Sequence, residues 1–152
     1  MNSSPAHVGS WPVAEVAGLP VHRLPAYVGC MAHVNDSATI RALLTDRGAR
    51  WAVVGLSPNP RHAAVGVSKF LRDELGMEII PVNLGAQEVH GEPGYRKLAD
   101  IPGQIDVVDC FVNSQKVGAV VDQAIEVGAK AVWLQLGVID EAAAQRAAEA
   151  GL

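Results

Sequence analysis

Gly55, Ser57, Asn59, Arg61 and His62 crowd into one short stretch, "WAVVGLSPNPRH", at the end of an apolar run. A glycine there allows close backbone approach or a positive φ. Ser57 and Asn59 offer short polar side chains, and Arg61 supplies a fork matched to phosphate oxygens. His62 adds one further donor. The helical pattern that follows residue 62 points its N-terminus at the same stretch, with free N–H groups and a dipole that favours an anion. Pro58 and Pro60 carry no N–H, so their use is to stiffen the loop. Two readings fit these residue types: a rigid turn with a solvated Arg61, or a cradle for a phosphorylated ligand. The stretch is neither GxGxxG nor a P-loop.

The remaining chemistry-bearing residues form no catalytic constellation that spacing reveals. There is no GxSxG elbow. His7, His22 and His33 lie in or near an irregular N-terminal segment, and His90 in "QEVHGEPGY" reads as solvated surface. Asp106 and Asp109 bracket two valines, so they point to opposite faces or ends of a strand and make a poor acid–base pair. Cys30 and Cys110 have no metal-site spacing. Cys110 reads as a small buried hydrophobe, and nothing in the spacing supports a disulfide.

The elements that must position these groups are regular from residue 36 onward. Asp36 or Ser37 caps a first helix with Ile40, Leu43 and Leu44 on its apolar face and Gly48 as its stop. "WAVVGL", "MEIIPVN", "IDVVDCFV" and "AVWLQLG" read as strands. Between them come a helix carrying Ala64, Val67, Leu71 and Leu75, a short turn in "GYRKLADIPG", and a helix capped by Ser114 with Val117, Val120, Val121, Ala124 and Ile125. Asp140 caps a final Ala-rich helix. The strands are near-continuous apolar runs, as expected when both faces are covered. The fold is therefore read as α/β, a Rossmann-like doubly wound parallel sheet in three layers, α/β/α. Ligands of such sheets bind beyond the carboxyl ends of the strands, which puts the loops after residues 56, 82, 111 and 135 at the site.

Composition narrows the function. The chain has 152 residues, 49% of them hydrophobic and 18% charged, with a net charge of −4. That fits one globular domain with a packed core. The absence of a basic excess argues against a large nucleic-acid footprint, and no apolar run is long enough to span a membrane. No secretion signal is evident, and a reducing, cytoplasmic location is expected. Residues 1–35, with four prolines before Cys30 and no sustained period, read as an irregular or disordered leader, and residues 36–152 as the domain. Met31 is the expected functional start. The closing "EAGL" looks like the opening of a further strand, so the chain is expected to be truncated and its sheet to lack a last strand.

Five motifs in order, "AVVGLSPNP", "IIPVN", "GYRKLADIP", "IDVVDCFV" and "AVWLQLGV", resemble the CoA-binding domain family. These are small stand-alone proteins related to the N-terminal domain of the succinyl-CoA synthetase alpha subunit. The similarity covers about residues 38 to 152. It implies a Rossmann-like domain that binds coenzyme A. Gly55, Leu56, Ser57, Pro58 and Asn59 match the family's phosphate loop, and Arg61 falls where a basic residue often follows it. Val82 and Asn83 match the turn beside the adenosine. Phe111, Val112 and Asn113 match the segment against which the adenine end packs. Two departures stand out. Relatives often carry arginines where this chain has Val112 and Asn113, and they continue past "EAGL" into another strand with a Cys-containing turn. Nothing matches the synthetase's phosphohistidine.

The expected function is non-catalytic binding of coenzyme A or an acyl-CoA, with the pantetheine arm running toward Gln135 and Gly137. Two alternatives stay open. One is an NAD(P)-dependent oxidoreductase in the same cleft, weakened because the second strand ends in Asn83 and not in the expected carboxylate. The other is a regulatory subunit that senses acyl-CoA. The expected partner is a small molecule, with no nucleic acid and no membrane; a homo-oligomer or a protein partner is left open.

Overall fold

The computed structural model describes residues 35–152. The expectations for the leader and for Met31 fall outside the described residues.

Four parallel strands form one sheet: β1 (Arg50–Val54), β2 (Glu78–Val82), β3 (Val107–Cys110) and β4 (Ala131–Leu134), in the spatial order β2-β1-β3-β4. Four helices connect or flank them: α1 (Ser37–Thr45), α2 (Ala63–Asp73), α3 (Ser114–Glu126) and α4 (Glu141–Glu149). A 3-10 turn covers Leu98–Asp100. The doubly wound architecture expected from the apolar strand runs is the one observed. The chain leaves β1 in one direction to make β2 and returns to the other side to make β3. The topological switch point therefore lies between β1 and β3, where open α/β sheets place their ligand crevice.

Register sorts the strand side chains onto two faces. Trp51 sits opposite Ile79 and Val107, and Asp109 sits opposite Val53 and Trp133. These residues, with α1 and α2 above them, build one core layer that includes Leu56, Ala64 and Leu71. Ala52, Ile80, Val108 and Cys110 face the other way, against α3, α4 and the 3-10 turn. On α3, Val117, Val120, Val121 and Ala124 are buried at helical spacing, and each such valine stabilises by about 1.5–3 kcal/mol.

Caps follow local chemistry. Asp36 accepts from the N–H groups of Ala38 and Thr39, and Asp140 accepts from that of Ala143. Ser114 does not cap α3. Asn113 does, accepting from the Lys116 N–H at 3.1 Å, while the Ser114 Oγ accepts from the Ile139 N–H after β4. Both residue types cap well, and the register of the first turn decides between neighbours. One other reading needs correction. His90 is half-buried, not a solvated surface group: its Nε2 lies 2.9 Å from the Ser68 Oγ on α2, and its carbonyl accepts from Arg72. Trp133 is half-buried and packs against Trp51 with ring centroids 5.9 Å apart. β4 lies at the side of the sheet, and its residues are all half-buried.

Candidate functional site

The loop after β1 lies at the switch point. Gly55 adopts φ +93°, and a Cβ there would run into the carbonyl oxygen of Phe111. The Gly55 N–H donates to the Val82 carbonyl, and the Phe111 N–H donates to the Val54 carbonyl. The ends of β1, β2 and β3 are thus drawn together around a residue that must be glycine, because an L side chain is strained at this φ and has no room.

Beyond Gly55 the loop is shaped by its own polar groups. Asn59 accepts from the Arg61 N–H through Oδ1, and its carbonyl accepts from the His62 N–H, which closes a turn over Pro60 and Arg61. Proline suits the second position of such a turn. The Asn59 Nδ2 donates to the His62 Nε2 at 3.2 Å, and the His62 Nδ1 lies 3.0 Å from the Ser57 Oγ. With Nε2 accepting, a neutral imidazole carries its proton on Nδ1 and donates to Ser57. The Ser57 hydroxyl hydrogen is then available to another acceptor. His62 is also the residue that precedes α2 and makes no side-chain cap. The amides of Ser57, Asn59, Ala63 and Ala64 have no protein acceptor among the described residues, and neither has the exposed Arg61 guanidinium. This is a donor-rich mouth at a helix N-terminus, the arrangement that captures phosphate.

The other residues singled out from the sequence divide by what their side chains touch. Leu56 and Val82 are buried in the core, so only their backbones are available at the strand ends. Asn83 is nearly buried, and both of its Nδ2 hydrogens are engaged, by the Leu56 carbonyl and the Gln87 carbonyl, each at 2.9 Å. Its Oδ1 accepts from the Gln87 N–H at 2.8 Å. It ties the first loop to the second and leaves no donor for a ribose. Phe111 and Val112 are half-buried and pack against opposite core layers. Asn113 is engaged as the α3 cap. Pro58 is exposed beside the mouth.

Sequence reasoning passed over Asp109. It lies inside β3 with no exposed surface, and burial pushes its carboxyl up to about 7. Its Oδ1 accepts from the Gln135 Nε2 at 2.6 Å, and its Oδ2 has no partner. A carboxyl within an otherwise apolar strand run was the available signal. Its neighbour Cys110 faces the other layer, a buried free thiol pushed up to about 12, first by burial and then by the Asp109 charge. Asp106 is a different case: it accepts from the Arg50 N–H and pairs with Lys130 at 2.6 Å. At the rim of the sheet, Leu84 after β2 and Leu136 and Ile139 after β4 are exposed apolar side chains. None of the helices described is long and apolar enough to cross a membrane.

Comparison with known proteins identifies the family and the fold. The family model described as CoA binding domain matches residues 49–152. The chain is 39% identical over 116 residues to the uncharacterized protein YneT of Bacillus subtilis, covering 76% of this chain and 84% of that one. It is 32% identical over 81 residues to the alpha subunit of the ADP-forming acetate–CoA ligase II of Pyrococcus furiosus, which is 53% of this chain but only 18% of that subunit. The solved structure of a hypothetical protein from Pyrococcus horikoshii superposes with a TM-score of 0.71 at 42% identity, covering 78% of this chain and 82% of that one. The chain belongs to the CoA binding domain family, as the five motifs implied.

Proposed function

From that membership, we propose that the chain binds coenzyme A, free or acylated, at the carboxyl ends of β1 and β3 and performs no chemistry on it. The observation that carries this reading is the mouth at the switch point. There, Gly55 lets the first loop close onto Phe111, and the amides of Ser57, Asn59, Ala63 and Ala64 and the Arg61 guanidinium have no acceptor among the described residues. The diphosphate takes those amides and the Ser57 hydroxyl. Arg61 approaches from solvent. The adenine end packs against the half-buried Phe111 and Val112. Asn83 serves this site by holding both loops, with no contact to the ligand of its own.

The non-catalytic half of the reading rests on how the reactive groups are held. The Cys110 thiol is buried and hard to ionise. The His62 ring is engaged on both sides within its loop. Asp109 is sealed beneath Gln135. None of the three reaches the mouth with a free reactive atom.

Calorimetric titration tests the reading. Coenzyme A binds with one site per chain, and excess coenzyme A raises the unfolding temperature, further with each increase in its concentration. Dephospho-CoA competes for the same site. No heat and no thermal shift with excess coenzyme A would overturn the reading. A site that takes NADH in its place, with hydride transfer seen by absorbance, would favour a reductase.

A further inference from the structure

The buried Asp109 and the half-exposed Gln135 form a polar pair that runs from inside the sheet layer to the carboxyl end of the strands. Gln135 directly follows β4, half-exposed, at the carboxyl side where the crevice opens. Asp109 and Trp133 are opposite one another, so Gln135 lies two residues further along on the same face. Its Nε2 points inward to the Asp109 Oδ1 at 2.6 Å. A carboxamide held by its nitrogen turns its oxygen the other way, and the Gln135 Oε1 has no partner among the described residues. The Asp109 Oδ2 is buried without one.

We propose that Asp109 is a positioning residue which, by taking the Gln135 Nε2, turns the Gln135 Oε1 to the rim as the acceptor for an amide N–H of the pantetheine arm. The proposal rests on the coenzyme reading above and adds what holds the far end of the ligand. Leu136 and Ile139, exposed beside Gln135, give the arm's carbon skeleton an apolar bank.

The pair also responds to protons. No ionisable side chain lies opposite Asp109 on its neighbours: β1 presents Val53 and β4 presents Trp133 and Gln135. From α2, Ala64, Ser68 and Leu71 face the layer, with the His90 ring held on the Ser68 Oγ, while Lys69 and Asp73 are exposed and Arg72 is paired with Asp73; α1 buries no charged side chain. On the same strand, only the Cys110 thiol is near, and it stays protonated. The carboxyl is raised to about 7 by burial, against the opposing hydrogen bond from Gln135. Above that pH the carboxylate can only accept, so it holds the Gln135 nitrogen inward. Below it, the carboxylic acid has a hydrogen to donate and draws the Gln135 oxygen inward, which turns a donor to the rim. The acceptor for the pantetheine N–H is then lost.

The test compares coenzyme A with the methyl ester of 3′-phosphoadenosine 5′-diphosphate at its terminal phosphate, which keeps the phosphates, esterified as in coenzyme A, and lacks the arm. The affinity ratio of the two cancels titration of the phosphates. In the wild-type chain this ratio should rise by about three- to tenfold from pH 6 to pH 8, the worth of one hydrogen bond. The rise should vanish in both Asp109→Asn and Gln135→Met. A flat ratio in the wild type, or a rise that survives in Gln135→Met, overturns the proposal. A second readout needs no ligand: the Gln135 side-chain amide resonances should titrate with one midpoint near neutrality and stay still in Asp109→Asn. Still resonances in the wild type overturn the clamp. Should neither ligand bind while those resonances titrate as expected, the coenzyme reading fails together with the pantetheine contact, and the clamp alone stands.

Discussion

The two faces of the sheet are built from different materials. Against α3 and α4 the core is aliphatic: Ala52, Ile80, Val108, Val117, Val121 and Ala124, with Cys110 as a small hydrophobe. Against α1 and α2 the sheet carries Asp109, Asn83 and the Trp51 indole, whose Nε1 is buried without an acceptor, and α2 adds the buried Ser68. Apolar burial stabilises without direction, whereas buried polar groups cost free energy unless each finds a partner. Both faces bury apolar side chains that hold the fold, and the α1/α2 face adds groups that fix where loops and side chains stand. Every buried polar side chain among the described residues lies on the α1/α2 side, and so does the first loop's anchor, Asn83. The site is organised by the face that carries the buried polar groups.

The largest expected effect comes from the least comfortable group. Asp109 has its carboxyl raised from 3.8 to about 7. Between those values the folded chain holds a proton that the unfolded chain has released. Its stabilising share is complete below about pH 4 and is lost as pH climbs through 7. The loss is on the order of 4 kcal/mol, from about 1.4 kcal/mol per pKa unit. Asp109→Asn removes this slope, so the variant should be more stable than the wild type above pH 7. Urea midpoints from pH 4 to pH 8 check it. Parallel curves for the two chains would mean that Asp109 is not held in its neutral form.

On the aliphatic face the expectation separates stability from binding. Leu98, at 1% exposure beneath α3, should cost about 3 kcal/mol as Leu98→Ala. Coenzyme A affinity, measured on the folded fraction, should not change. A parallel loss of affinity would merge the two faces into one functional unit.

Gly55 and Gly128 sharpen the same contrast through backbone alone. Both have positive φ, but a Cβ at Gly128 meets nothing within 4 Å, whereas one at Gly55 strikes Phe111. Gly128→Ala should cost about 1 kcal/mol. Gly55→Ala should cost about 2 kcal/mol or more and should also abolish coenzyme binding. Denaturant midpoints and calorimetry on both variants decide it. Equal costs would place the crowding at Gly55 in doubt.

Arg61→Ala is the mildest for the fold. The side chain is exposed and has no protein acceptor, so the unfolding midpoint should stay within about 0.5 kcal/mol of the wild type. Affinity for coenzyme A should fall about tenfold, the worth of one charge-assisted contact, with a shallower dependence on salt. Unchanged affinity would remove Arg61 from the site.

Much of this organisation could be read from residue order. Unbroken apolar runs located the four strands, and Asp36 and Asp140 announced their helices, because both signals are local. The glycine of the first loop was legible too, although not that Phe111 is the reason for it. What escaped depends on contacts between segments far apart in the chain. His90 reaches Ser68 across 22 residues, and Gln135 reaches Asp109 across 26. Asn83 stands at the turn after the second strand as its motif implies, but spacing shows where a carboxamide stands and not that two carbonyls already hold it. Strand alternation gave Asp109 a face but could not say that its neighbours there are Val53 and Trp133.

The central claim is that a diphosphate is captured by the free amides at the switch point. Backbone amide shifts followed by NMR during a coenzyme A titration test it most directly. The largest changes should fall on Ser57, Asn59, Ala63 and Ala64 and saturate together with one dissociation constant. Changes centred on α3 and α4, with those four amides unmoved at saturating coenzyme A, would contradict it.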